Sequence, residues 1–374
     1  MKTTDPTPPC RSNDDYLRLA LALAGRGLGN VWPNPAVGCV LVRDGLIVGR
    51  GWTQPGGRPH GEAQALAQAG TAATGATAFV TLEPCAHHGQ APPCAQALIE
   101  AGVTRVVIAA PDPDPRVDGR GADMLLKAGI AVAGPEQTVR REAVELNAGF
   151  LSRITKRRPL VTLKLATTLD GRIATAQGES QWITGAGARA RGHMLRAQHD
   201  GILVGIETAL ADDPELTCRL PGLLDRSPVR IVLDSRLRLA ADSRLARAAG
   251  THPLWLITGS ENSHAELENL GAVIMPAKLG GDGRVELSSA LEALADRGLT
   301  RLLVEGGSAV ATSFLAAGLV DRLAWFRTGG IMGGDGLPVF GALGLAALAD
   351  MSRFARQGIE VLGDDVLESY VHRG

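Results

Sequence analysis

What most constrains this chain is an alternation that runs through it twice. Short apolar runs with strand character are separated by segments carrying Leu and Ala at helical spacing, first over 12–150 and again over 160–374. Such alternation stacks helices against a sheet, so each half is expected to be a layered α/β domain with a mostly parallel sheet. In the first half the strands read as Ala36–Val42, turning at Asp44-Gly45 into Leu46–Gly49, then Ala78–Leu82, Arg105–Ala110 and Ile130–Ala133. Helices are expected at Ser12–Gly25, opened by the capping-box pair Ser12 and Asp15, and near Glu62–Ala69, Pro93–Ala101 and Ala122–Ala128. The second half repeats the theme. Its strands read as Leu160–Ala166, Gly201–Val204, Val229–Asp234, Leu254–Thr258, Arg301–Val304 and Arg322–Phe326, with helices near Ala188–Ala197, Leu287–Asp296 and Ser308–Ala317. At 374 residues the chain exceeds what one hydrophobic core supports. The break is expected at a linker over 151–159, ending in the basic, Pro-terminated run Lys156-Arg157-Arg158-Pro159. Residues 1–11 hold three prolines and no apolar run, so they read as a disordered lead-in rather than a signal peptide.

Composition matters here for what it removes. Thirty-eight basic residues face 39 acidic ones, a net charge of −1, which argues against general attraction to nucleic acid or an anionic membrane. No uninterrupted apolar stretch is long enough to span a bilayer. A cytoplasmic protein acting on small molecules is expected. The five cysteines are odd in number and thinly spread, which suits metal binding better than a disulfide framework. Cys39 sits in a strand pattern and reads as core, and Cys10 and Cys218 carry no evident role.

The strongest chemistry lies in His60-Gly61-Glu62, followed by Pro84-Cys85 and Pro93-Cys94. His-x-Glu with a later Pro-Cys and a further Cys is the pattern of zinc deaminases. Three ligands, His60, Cys85 and Cys94, leave one tetrahedral position for water, and Glu62 is free to move protons between that water and a leaving amine. His60 and Cys94 both fall where a helix begins, and the positive helix end favours thiolate at Cys94. The nine-residue gap from Cys85 to Cys94 is longer than the common three. It contains His87 and His88, so a closed knuckle of Cys85, His87 or His88, and Cys94 stands as a rival.

In the second half no Gly-x-Gly-x-x-Gly occurs. Instead Leu302-Leu303-Val304-Glu305-Gly306-Gly307-Ser308 runs from strand through two glycines into helix, a shape that lets backbone N–H groups approach a phosphate. Trp182 stands in the polar segment Gly178–Thr184, where it makes poor core material, and Arg196 and Arg219 flank Asp212-Asp213-Pro214 as a candidate phosphate clamp. Asp170-Gly171 reads as a turn.

These motifs together resemble the bifunctional riboflavin-biosynthesis deaminase–reductase family over about Tyr16–Val371. The likeness rests on Pro33-Asn34-Pro35-Ala36-Val37-Gly38, His60-Gly61-Glu62, Thr81–Gly89 and Pro92-Pro93-Cys94, whose nine-residue cysteine spacing is the family's own. It implies a cytidine-deaminase-like three-layer domain over 12–150 and a dihydrofolate-reductase-like domain over 160–374. The first would hold one zinc ion on His60, Cys85 and Cys94, with Glu62 as proton shuttle and Asn34 facing the pyrimidine. Its substrate would be a diaminopyrimidinone bearing a phosphoribosylamino group. The second would use NADPH to reduce the ribosyl group to ribityl. Ala166, Trp182, Thr208, Asp212, Ser235 and Gly307 match nucleotide contacts. Ser180, Arg196, Leu216, Arg219 and Glu305 match substrate contacts, and Lys164 or Glu305 would deliver the proton. Homo-oligomers would form through the reductase half. Thr53 stands where some members have His, and Gln90 where some have Lys or Arg, both where phosphate is expected. Gly61 replaces the usual Ala, a change that reads as sterically harmless though it loosens the helix start. The late loop Thr328–Asp335 also matches, though many members have Pro near Gly329. Two other readings are a nucleic-acid base deaminase with an accessory domain and a non-catalytic zinc knuckle. Scarce aromatics and the absent basic bias disfavour the first, and the unexplained His-x-Glu pair disfavours the second.

Overall fold

A computed structural model describes residues 11–89, 92–260 and 264–373, and these divide into two compact units, 1–156 and 157–374. The lead-in up to Cys10 and the Gln90 position lie outside the described residues.

The first unit runs α1 (Asn13–Ala24), β1 (Gly38–Arg43), β2 (Leu46–Trp52), α2 (Gly61–Ala69), β3 (Thr77–Val80), α3 (Cys94–Glu100), β4 (Arg105–Ile108), α4 (Arg120–Lys127), β5 (Ala131–Ala133), α5 (Gln137–Leu146) and α6 (Ala148–Lys156). Its sheet order is β2-β1-β3-β4-β5. The β1–β2 hairpin and the β1–β3 pair are antiparallel and the rest parallel, so the sheet is more mixed than expected. Ser12 and Asp15 form the capping box of α1, with Ser12 Oγ accepting from the Asp15 N–H. Val40, Leu41, Phe79, Val80, Val106 and Val107 pack with Leu17, Leu98 and Leu125 of the helices into one core.

Glycines on β2 set how closely α2 approaches. A Cβ at Gly49 would lie 2.2 Å from the Ala65 carbonyl oxygen, and one at Gly51 2.2 Å from that of Gly61. The first turn of α2 therefore rests on bare strand backbone. Gly61 belongs to the same contact: a Cβ there would sit 2.7 Å from the Val37 oxygen. Glycine in place of the usual Ala thus adds no clash, as expected, and an Ala here would force α2 or the residue 37 backbone to shift.

The expected linker is also shorter. Residues 151–156 belong to α6, because Leu151 and Ile154 pack against the first core and hold the segment in helix. The two units part between Lys156 and Arg157.

The second unit contains β6 (Leu160–Thr167), β7 (Arg172–Ala174), α7 (Ala186–Ala197), β8 (Gly201–Gly205), α8 (Ile206–Asp212), β9 (Val229–Leu233), α9 (Arg244–Arg247), β10 (Leu254–Thr258), α10 (Ala265–Asn269) and β11 (Val273–Pro276). It continues with α11 (Leu287–Asp296), β12 (Arg301–Val304), α12 (Ser308–Ala316), β13 (Arg322–Arg327), β14 (Leu337–Pro338), β15 (Phe354–Leu362) and β16 (Asp365–His372). The nine-stranded sheet has the order β11-β10-β9-β8-β12-β6-β13-β16-β15. It is parallel through β13, with β16 and β15 added antiparallel at one edge. Strand order reverses around β8, β12 and β6, and the carboxyl ends of strands at such a reversal are where open α/β sheets bind ligands. A separate two-stranded ladder, β7 with β14, joins the segment after β6 to the late loop. Among the described residues no helix is long and apolar enough to cross a membrane.

Candidate active sites

In the first unit, His60 is the N-cap of α2 and Cys94 the first residue of α3, so two helix starts face one another. Cys85 lies in the loop after β3. His60 Nδ1 is 3.3 Å from Cys94 Sγ and 3.7 Å from Cys85 Sγ, and the Cys94 N–H donates to Cys85 Sγ at 3.2 Å. A tetrahedral zinc with Zn–S near 2.3 Å and Zn–N near 2.0 Å separates its N and S ligands by about 3.5 Å. The cluster fits that spacing without rearrangement. Among the described residues it is the one group of His, Cys and acidic side chains whose donor atoms converge, and neither His87 nor His88 belongs to it. The closed knuckle therefore has no support in the geometry.

Glu62, on the first turn of α2, is 3% exposed, and its Oε2 is buried without a hydrogen-bond partner. A carboxylate oxygen left so costs free energy unless a ligand completes it. Burial, opposed by His60, raises the Glu62 carboxyl to about 7. Cys85 is lowered to about 4, first by the hydrogen bond with the Cys94 thiol and then by that with His60, against desolvation. Cys94, donor to Cys85 and almost fully buried, is raised far above the ordinary thiol range. Within the pair, Cys85 receives the Cys94 N–H and thiol and so takes negative charge first, whereas a zinc ion held by both sulfurs would require thiolate at Cys94 as well.

A cavity of about 340 Å³ opens beside this cluster, lined by Arg58, Pro59, Ala63, His87, Gly89 and Pro92 as well as the three converging residues. Asn34 is not part of that lining; its amide donates to the Gly57 oxygen at 3.0 Å. Thr53 is 2% exposed, and its hydroxyl accepts from the Val37 N–H at 3.0 Å, so it serves the hairpin rather than a ligand.

In the second unit a cavity of about 870 Å³ lies over the carboxyl ends of β6, β8 and β12. Lys164, Ala166, Ser180, Trp182, Arg196, Thr208, Asp212, Leu216, Arg219, Glu305 and Gly307 all line it. Ser235 does not; its hydroxyl accepts from the Val285 N–H at 3.0 Å. The Gly307 N–H donates to Thr208 Oγ1 at 3.2 Å, which ties the α12 start to α8.

Glu305 forms the charged centre. Arg196 grips it through Nε at 2.9 Å and a terminal nitrogen at 3.1 Å, and donates its other terminal nitrogen to the Thr217 oxygen at 3.0 Å. Lys164 Nζ stands 3.6 Å from the same carboxylate. Burial pushes the Glu305 carboxyl up, but Arg196 and Lys164 outweigh it and hold it at about 2. The clamp expected of Arg196 and Arg219 is thus divided: Arg196 is spent on Glu305 and the 217 carbonyl, while Arg219 pairs with Glu215 at 3.2 Å near the surface. Leu216, beside Thr217, has φ +55°, a left-handed conformation that a Leu adopts only under constraint.

Trp182 is 67% exposed and lies under the Arg189 guanidinium, 4.8 Å from the ring centroid. The ladder of β7 and β14 contributes Ile173, Ala174, Leu337 and Pro338 to the wall. Asp170 does more than turn the chain: it accepts from the N–H groups of Met332 and Gly333, tying the β6–β7 turn to the late loop. Arg58, Arg189 and the ladder residues escaped the sequence reading; only the position of Arg58 two residues before His60 offered a cue.

Comparison with known proteins agrees with both halves. Residues 11–110 match the cytidine and deoxycytidylate deaminase zinc-binding region, and residues 159–367 match the RibD C-terminal domain. The riboflavin biosynthesis protein RibD of Escherichia coli strain K12 is 42% identical, covering 94% of this chain and 97% of its own. That of Aquifex aeolicus is 41% identical over 354 residues, 94% and 96% of the two chains. A crystal form of Acinetobacter baumannii RibD superposes with a TM-score of 0.88 at 36% identity, covering 97% of this chain and 99% of that one. A Thermotoga maritima structure described as a diaminohydroxyphosphoribosylaminopyrimidine deaminase/5-amino-6-(5-phosphoribosylamino)uracil reductase gives 0.85 at 35% identity, covering 96% and 99%.

Proposed function

Because the chain belongs to the RibD family of riboflavin biosynthesis, a deaminase joined to a reductase, we propose that its two cavities act in turn on one phosphorylated pyrimidine. The first would deaminate 2,5-diamino-6-(5-phosphoribosylamino)pyrimidin-4-one. The second would reduce the ribosyl group of the resulting aminouracil. The observation that carries the proposal is the convergence of His60, Cys85 and Cys94 beside the unpartnered carboxylate oxygen of Glu62.

His60, Cys85 and Cys94 would hold the zinc ion. When bound, zinc supplies Lewis acidity that brings the pKa of a water near 7. Glu62, poised at about 7 by burial, takes a proton from the attacking water and returns it to the departing nitrogen. Water adds at the amino-bearing carbon, the C–N bond breaks, and ammonia leaves as a carbonyl forms.

In the reductase, NADPH supplies hydride to C1′ of the opened sugar, and one proton must come from the protein or solvent. Glu305, held ionised by Arg196 and Lys164, has no proton to give at neutral pH. Lys164 Nζ, 3.6 Å from that carboxylate and lining the cavity, would be the protein's donor, with Glu305 orienting it. Ala166, Trp182, Thr208, Asp212 and Gly307 form the wall for the nucleotide, and Ser180, Leu216 and Arg219 that for the sugar phosphate. Asn34 and Ser235 each make one backbone hydrogen bond, through the Asn34 amide nitrogen and the Ser235 hydroxyl oxygen, so the Asn34 amide oxygen and the Ser235 hydroxyl proton can still meet a ligand. We place the protein in the cytoplasm and assign self-association to the reductase domain, where β15 is a sheet edge with Ile359 and Val361 exposed.

The test is incubation with the diaminopyrimidinone phosphate, with and without NADPH, following ammonia and nicotinamide absorbance. Ammonia without NADPH, then NADPH oxidation on the deaminated product, is expected. NADPH oxidation without ammonia release would overturn the order.

A further inference from the structure

A substrate bearing a phosphate monoester brings about two negative charges to the deaminase cavity. Something cationic must face that phosphate, since an uncompensated dianion in a part-buried cleft loses far more hydration than ordinary contacts return. Thr53 does not supply it: its side chain is neutral, buried and committed to Val37. The remaining lining offers Pro59, Ala63, Gly89 and Pro92, which carry no charge, and His87. Among the described residues Arg58 is the sole Lys or Arg in the wall.

The placement of Arg58 fits this use. It is half-buried, on the extended segment that leads into His60. Among the described residues no hydrogen bond or ion pair engages its guanidinium, in contrast to Arg116, Arg158 and Arg196, each of which grips a carboxylate. The guanidinium lies against the loop after Cys85: a Cβ built on Gly89 would meet a terminal nitrogen of Arg58 at 3.0 Å. Glycine at 89 therefore leaves room for the arginine head on the cavity side of that loop. A planar guanidinium with several N–H donors suits a phosphate oxygen pair better than an ammonium does.

Resting on the deamination reading above, we infer that Arg58 is the phosphate-binding residue of the deaminase cavity and sets its preference for phosphorylated over unphosphorylated pyrimidines. No bond to the phosphate forms or breaks; the contact is a charge-assisted hydrogen bond.

The test compares ammonia release from the diaminopyrimidinone phosphate and from the same compound after phosphatase treatment, using the full-length zinc-loaded enzyme. The ratio of the two kcat/KM values is the readout. In Arg58→Ala and Arg58→Gln this ratio should fall about 10- to 100-fold, the range for losing a hydrogen bond to a charged group, mainly through KM for the phosphorylated compound. Arg58→Lys should recover part of it. Equal losses on both compounds, or a ratio that stays at the wild-type value, would overturn the assignment. No ammonia from the wild-type enzyme with either compound would instead defeat the deamination reading itself.

Discussion

Replacing Arg196 by methionine removes the guanidinium while retaining most of the side-chain volume, so it isolates the charge. Glu305 would then keep only Lys164, 3.6 Å away, as counter-charge in a nearly buried setting. The Glu305 carboxyl is held at about 2 in place of 4.5, and its depression corresponds to about 3 kcal/mol of folding stability at 1.36 kcal/mol per pKa unit. That agrees with the 3–5 kcal/mol typically lost when one partner of a buried ion pair is deleted. For a domain of this size the loss lowers Tm by about 6–12 °C. Differential scanning calorimetry should show the reductase transition falling by that amount and the deaminase transition unmoved. The sign with pH follows from the depressed value. The contribution is complete above the ordinary carboxylate range and disappears as pH falls from 4.5 towards 2, so wild type and variant should converge in acid. Arg196→Met combined with Glu305→Gln should recover more than half of the loss, because no buried carboxylate is then stranded. A single variant within about 0.5 kcal/mol of wild type, the ordinary scatter of surface substitutions, would refute the ion-pair account and return Arg196 to a phosphate clamp, with a raised KM as its mark.

Glu62→Gln should slow ammonia release by about 10²- to 10⁴-fold, the usual worth of a general acid–base group. Zinc content by elemental analysis should stay near one per chain, and NADPH oxidation on pre-deaminated substrate should continue. Lys164→Met should abolish NADPH oxidation while ammonia release proceeds at the wild-type rate; persistence of reduction would remove Lys164 as proton donor. Gly51→Ala drives a methyl into the Gly61 carbonyl 2.2 Å away, and overpacking of this kind costs about 1–3 kcal/mol. The deaminase transition should fall and zinc should bind more weakly, while reduction is spared.

The parts of the fold that were legible in the sequence are those where burial writes a pattern. Strands such as Val229–Leu233 and Arg301–Val304 are buried along most of their length and appear as apolar runs. The strand Phe354–Leu362 went unread because it is largely solvent-facing, with polar and apolar residues mixed and Gly358 at an irregularity in its pairing. The helix Gln137–Leu146 was missed for a related reason: it buries only Val139 and Ala143 beneath a charged surface. The zinc-type cluster was readable because its residue types and their short spacings are themselves the chemistry. The backbone partners of Asn34, Thr53 and Ser235 were not, since each lies far along the chain, respectively at Gly57, Val37 and Val285. The ion pair of Arg196 was not readable because nothing local announces Glu305, 109 residues later.

The bare glycine face of β2 has a consequence for redesign. Because main chain touches main chain there, the close approach of β2 and α2 sets the depth at which His60 and Glu62 stand, and a side chain at Gly49 or Gly51 could only push α2 outward. Efforts to admit a different amine should leave that strand alone and vary instead His87 or Pro92, which line the cavity from another segment.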